Sequence, residues 1–182
     1  TPEMLGEIGL GRSPVGHLRE VLALRPMLVA HVNDCGDDDL EVLRQTGTRV
    51  VYCPRASSYF GHERPFGPHR YRDMLSAGIP VALGTDSVIC LARSDRISVL
   101  DEMRVLSRRD GVDPRTLVTM ATRNGALALG IDDERVGLRV GDRPLGVIAV
   151  EVGTERGWQI DPLVAAMASD APPEWVVGGA EL

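Results

Sequence analysis

The chain has 182 residues, is 43% hydrophobic and 25% charged, and carries a formal net charge of −6. That composition belongs to a soluble globular chain able to bury a core, and the acidic balance argues against nucleic acid or an anionic membrane as the main partner. No apolar run reaches the ~18–20 residues of a membrane-crossing helix, and no apolar leader opens the chain, so a cytoplasmic protein is expected. Cys35, Cys53 and Cys90 are widely spaced and form no C-x-x-C pair, which reads as free thiols in a reducing compartment. All 20 positive charges are arginine. A Schiff-base, P-loop or carbamylated lysine is therefore excluded within this stretch.

In chain order, Pro14 to Ala23 has a helical pattern with Val15, Leu18, Val21 and Leu22 apolar. Met27-Leu28-Val29-Ala30 follows as the first short apolar run. Asp37 to Gln45 opens with acids suited to a helix N-terminus, and Arg49-Val50-Val51-Tyr52 is the second run. Pro68 to Ala77 is helical and ends at Gly78, before the third run, Pro80-Val81-Ala82-Leu83. These runs are continuous rather than alternating, as in parallel strands covered on both faces, and strand–helix alternation spells βα units. Arg96 to Arg109 is predicted helical, with Ile97, Leu100, Met103 and Leu106 on one face. Asp113-Pro114 starts a further helix that runs to about Leu129 and stops at Gly130. Gly137 to Gly141 and Val147 to Val150 read as strand-like. The tail from Asp161, with Pro172-Pro173 and Gly178-Gly179, reads as loosely attached.

The chemistry-bearing residues come directly after the strands. The first run leads into His31, the second into Cys53-Pro54-Arg55-Ala56-Ser57, and the third into Gly84-Thr85-Asp86. In a parallel α/β barrel such loops meet at one rim, where His31, Arg55 and Asp86 would come together. Imidazole and carboxylate both suit a borderline divalent ion and both can move protons. Taken singly, each has a plainer use: His as a hydrogen-bonded structural group, Asp as a turn former, Arg as a surface charge. His62 lies in the Gly- and Pro-rich stretch 61–67 and is a candidate substrate contact. Tyr59 and Phe60 pack either on a ligand or under that loop. His17 and His69 read as solvated surface residues.

With those residues in view, the chain resembles the amidohydrolase superfamily, in particular its cytosine-deaminase-like and chlorohydrolase-type branch. Ala30-His31 is similar to the family's sixth-strand motif, and Cys53-Pro54-Arg55-Ala56-Ser57 matches part of its seventh-strand C-P-x-S-N. Ala77-Gly78-Ile79, Gly84-Thr85-Asp86, Glu102-Met103-Arg104 and the helix Ala121 to Gly130 come next, in family order. The resemblance implies one divalent metal, zinc or iron, with Asp86 as a ligand and proton acceptor. It implies that His31 faces the attacked carbon, and that Arg55 and Ser57 lie on a loop that contacts substrate. Ser57 stands where the family has Asn and Ala56 where it has Ser. No H-x-H and no fifth-strand His precede His31, and Thr1-Pro2-Glu3 resembles the segment just after the family's H-x-x-E.

The expectation is therefore the C-terminal part of a (β/α)8 barrel over residues 1–130, with part of a small β-sandwich domain over 131–182. The parent would be a metal-dependent hydrolase of non-peptide C–N bonds, most simply a deaminase of a small nitrogenous heterocycle, and the chain alone would be inactive. Its partner is a small-molecule substrate, with neither nucleic acid nor membrane, and a homo-oligomer is compatible. Ring-opening or amide hydrolysis on the same metal, or a non-catalytic α/β binding module, are the alternative readings.

Overall fold

The computed structural model describes residues 11–132, 135–138, 140–141, 144–153 and 160–178. Thr1-Pro2-Glu3 and Arg139 lie outside them. Three strands, β1 (Leu28–Ala30), β2 (Arg49–Tyr52) and β3 (Val81–Leu83), pair in parallel in the order β1-β2-β3. The apolar runs thus become parallel strands, but only β3 is buried throughout; β1 is a half-exposed edge rather than a strand covered on both faces.

Ahead of β1, the expected single helix is two turns, α1 (Pro14–His17) and α2 (Arg19–Leu22), broken at Leu18. Gly16 within the first turn weakens the helix. Ser13 accepts the Gly16 N–H while donating to Asp39, which ties α1 to the helix that follows β1. That helix, α3 (Asp37–Gln45), has the predicted limits. Its three aspartates favour the helix N-terminus, and Asp39 accepts the Gly36 N–H at 2.8 Å.

Between β2 and β3 run α4 (Pro54–Tyr59), α5 (Glu63–Phe66) and α6 (Tyr71–Ser76). Helix α6 starts later than the predicted Pro68 because the His69 side chain folds into the interior. A single turn of 3-10 helix (Val88–Cys90) follows β3, and then α7 (Val99–Asp110). Helix α7 begins at Val99 rather than Arg96, with Ser98 as its extended N-cap and the Arg96 carbonyl accepting from Arg55. The predicted 114–129 helix divides into α8 (Pro114–Ala121) and α9 (Arg123–Leu129). The Thr122 hydroxyl bonds back to Val118 O at 2.7 Å, a contact that bends helices. Asn124 reaches Val81 O at 2.9 Å and pins α9 on β3.

The core joins Val50, Val81, Leu43, Met74, Ile79, Leu106, Leu117 and Met120, all buried. Each such side chain contributes ~1.5–3 kcal/mol by leaving water.

The tail is not loosely attached. Strand β4 (Gly146–Val150) pairs antiparallel with β5 (Pro173–Gly178), and α10 (Pro162–Ala168) lies between them in sequence. Met167 of α10 joins the main core, and the buried Arg104 donates to Ala166 O at 3.2 Å and Ala171 O at 2.9 Å. Met167 and Arg104 thus tie the segment after residue 130 to the main core. Among the described residues of 137–141 there is turn instead of strand.

Candidate functional site

The chain leaves β1 and β3 through unusual backbone. Among the described non-glycine residues, three have positive φ: His31 (106°), Val32 (68°) and Asp86 (56°). Residues with a Cβ occupy that region at a cost of ~1–3 kcal/mol, so their neighbours must hold them there. The two residues singled out by sequence are among the three.

The result is a facing pair. His31 Nε2 and Asp86 Oδ2 lie 3.8 Å apart, with side chains 44% and 28% exposed, so the pair is open to a ligand. Gly84 permits the close approach of β3 to its neighbour. A Cβ there would meet Val51 Cγ1 at 2.6 Å and Cys53 Sγ at 3.1 Å. Cys53 is buried, and burial pushes its thiol up to about 12. It is a neutral packing group.

Beside the pair sits a second polar chain. Ser57, buried on α4, donates from Oγ to Asn33 Oδ1 at 2.9 Å, and the Asn33 amide nitrogen lies 2.9 Å from His62 Nδ1. His62 is thereby oriented along a cleft of about 330 Å³, whose lining includes His31, Asn33, Leu18, Leu22 and Phe66. Phe60 stacks on His62 at 5.7 Å. The sequence singles out Ser57 and His62 but not Asn33, the link between them. The one sign it offers is that Asn33 stands two residues beyond His31, at the end of a strand.

Arg55 has a different environment from the one its strand-end position suggested. Its Nε donates to Glu102 Oε1 at 2.6 Å, its backbone N–H to Glu102 Oε2 at 3.0 Å, and its remaining nitrogens to Arg96 O and Ser98 O. The guanidinium is engaged by the chain itself and fixes the first turn of α4 on α7.

His69 is likewise not a surface residue. It is 6% exposed, accepts the Tyr71 N–H on Nδ1 at 3.0 Å, and meets His31 O through Nε2 at 2.7 Å. Burial lowers its pKa to about 4, because the charged ring is the form that loses most by leaving water. His17 is exposed, as expected.

The amidohydrolase family profile matches residues 4–172. The chain belongs to the amidohydrolase family. It is 39% identical over 132 residues to the aminodeoxyfutalosine deaminase of Deinococcus radiodurans, covering 70% of this chain and 30% of that protein. It is 34% identical over 145 residues to the 5-methylthioadenosine/S-adenosylhomocysteine deaminase of Syntrophobacter fumaroxidans, covering 76% and 31%. The chain thus spans about a third of the length of the curated relatives it matches. Among solved structures, an adenosine deaminase from Xanthomonas campestris with bound zinc superposes with a TM-score of 0.69 at 20% identity, over 91% of this chain and 38% of that one. The atrazine chlorohydrolase of Arthrobacter aurescens complexed with zinc gives 0.70 at 20%, over 89% and 36%. At that identity the likeness shows the fold alone.

Imidazole and carboxylate are the right donor types for zinc, which takes at least three protein ligands. Among the described residues no group of three or more His, Cys, Asp or Glu is placed to hold an ion. The His31–Asp86 pair supplies two groups of suitable chemistry, fewer than the three protein ligands zinc takes. Among the described residues no helix is long and apolar enough to cross a membrane.

Proposed function

We propose that this chain carries the Asp86 side of the active site of a hydrolytic deaminase acting on a small nitrogenous heterocycle, an amino-substituted purine or its nucleoside. Strands β1–β3 then serve as consecutive strands of a (β/α)8 barrel, with the site at their C-terminal ends. The observation that carries the reading is the His31–Asp86 pair, 3.8 Å apart on two residues of positive φ at the ends of strands in one sheet. The deaminase names of the relatives support the reaction class.

Asp86 would be one ligand of a divalent metal, zinc or iron, with the others supplied from outside the described residues. Such an ion, when bound, makes hydroxide available from water near neutral pH. Asp86 Oδ2 holds the proton the water gives up, and His31 Nε2 faces the same point to offset charge developing on the heterocycle. His62, oriented by Asn33 and Ser57, contacts substrate along the cleft. Arg55 acts at a distance by fixing the turn that bears Ser57.

The test is ammonia release by the full-length protein from adenosine-type and guanine-type substrates, with Asp86→Asn as the variant. Losing both a ligand charge and a proton acceptor should lower kcat on the order of 1,000-fold. Retention of more than about a tenth of wild-type activity, against that scale, would remove Asp86 from the reaction.

A further inference from the structure

His69 is held on all sides. Its ring stacks on Tyr52 with centroids 3.8 Å apart and planes 15° from parallel. The Tyr52 hydroxyl accepts from Arg109 at 3.0 Å, and the Tyr71 hydroxyl donates to Asp110 at 2.8 Å, so the aromatic stack is itself anchored. A backbone amide only donates and a carbonyl only accepts. The Tyr71 N–H on Nδ1 and the His31 carbonyl at Nε2 therefore leave one assignment, the neutral ring with its proton on Nε2. The low pKa is in keeping with that form.

The carbonyl it grips belongs to His31, whose φ is 106°, and Val32 follows at 68°. Two successive residues in this region stay there only if a partner holds the peptide between them. That peptide's oxygen accepts one hydrogen bond from a buried, immobilised donor.

We propose that His69 is a positioning residue, which by donating Nε2–H to His31 O holds the left-handed His31–Val32 turn that aims the His31 imidazole at Asp86. The proposal rests on the reading of His31 as a working group of the site. It predicts that a side chain without a donor at this position lets the turn relax and misdirects His31, while substrate binding along the cleft survives.

Two variants separate the possibilities in the full-length protein. His69→Phe keeps the stack on Tyr52 but has no donor. His69→Gln can present an N–H where Nε2 stood. A hydrogen bond whose loss costs on the order of 1.4 kcal/mol corresponds to about tenfold, so His69→Phe should lower kcat about tenfold with KM within about threefold. His69→Gln should recover most of that loss. Unchanged kcat in His69→Phe, or no recovery in His69→Gln, overturns the proposal.

A readout independent of activity comes from long-range proton–nitrogen spectra of histidine-labelled protein. At neutral pH His69 should show the neutral Nε2–H form, and His69→Phe should move the Val32 amide resonance. A proton on Nδ1, or an unmoved Val32, also overturns it. If no heterocycle is deaminated, the functional reading fails alone, and the spectra still decide whether His69 holds the turn.

Discussion

Removing Glu102 should be the most damaging change away from the His31–Asp86 pair. Its side chain is 0% exposed and meets Arg55 twice, at 2.6 Å through Nε and 3.0 Å through the backbone N–H, while Arg55 is 11% exposed. Burial raises the Glu102 carboxyl and the contacts from Arg55 oppose that rise, as expected of a pair held by mutual need. Breaking a buried pair by deleting one partner costs ~3–5 kcal/mol, since the survivor keeps an uncompensated charge. Asp95, 3.8 Å from Arg55 and more exposed, offsets little of that. With a urea slope of ~2 kcal/mol/M, Glu102→Ala should lower the unfolding midpoint of the full-length protein by about 2 M. Replacing both partners with apolar residues, Arg55→Met with Glu102→Leu, should cost less than the sum of the single changes by ~1 kcal/mol or more. A midpoint shift under about 0.5 M for Glu102→Ala, at that slope, would refute the reasoning, as would additive losses in the double variant.

Gly84→Ala places a methyl 2.6 Å from Val51 Cγ1. Overpacking should cost ~1–3 kcal/mol, and Val51→Ala in the same chain should relieve part of it. Denaturant titration reads both, and a neutral Gly84→Ala would mean that β3 has room to shift. His69 makes the protein acid-sensitive. Its pKa falls from the ordinary 6.5 to about 4 on folding, so the unfolded chain binds more protons between those values. Stability from this group is full above pH 6.5 and is lost as pH falls toward 4, by ~3 kcal/mol in all. Unfolding measured across that range should slope less in His69→Gln than in wild type; equal slopes would show that His69 titrates alike in both states.

The strands were legible because Val50-Val51 and Val81-Ala82-Leu83 are continuous apolar runs too short for helices. Helix α3 was legible to the residue because three aspartates mark its start. Helix ends that depend on distant partners were not. Residues 96–98 look helical from spacing, yet the Arg96 carbonyl turns to Arg55, 41 residues away, and Ser98 becomes the N-cap. The tail carries loop-like Pro172-Pro173 and Gly178-Gly179, and only pairing explains its order. Pro173 lies opposite Val150, and Arg104 draws the Ala166 and Ala171 carbonyls onto α7. Pairing with a segment some twenty residues away has no period a single segment can display.

At the site, motif and backbone point to the same residues for different reasons. His31 and Asp86 stood out as polar groups ending apolar strands, and both then proved to adopt positive φ, which no sequence pattern announced. Arg55 and His69 each take their setting from a distant partner rather than from their sequence neighbours. A charge after Cys-Pro reads as free until Glu102 is seen buried against it. A histidine after Pro68 reads as solvated until Tyr52 covers its face and the His31 carbonyl accepts the Nε2 hydrogen bond. Strain in a loop has to be met by a group elsewhere, and a buried donor with a single available carbonyl is how that group is recognised. In this chain the connection runs from the exposed His31–Asp86 pair inward to His69, whose sequence setting alone gave no sign of it.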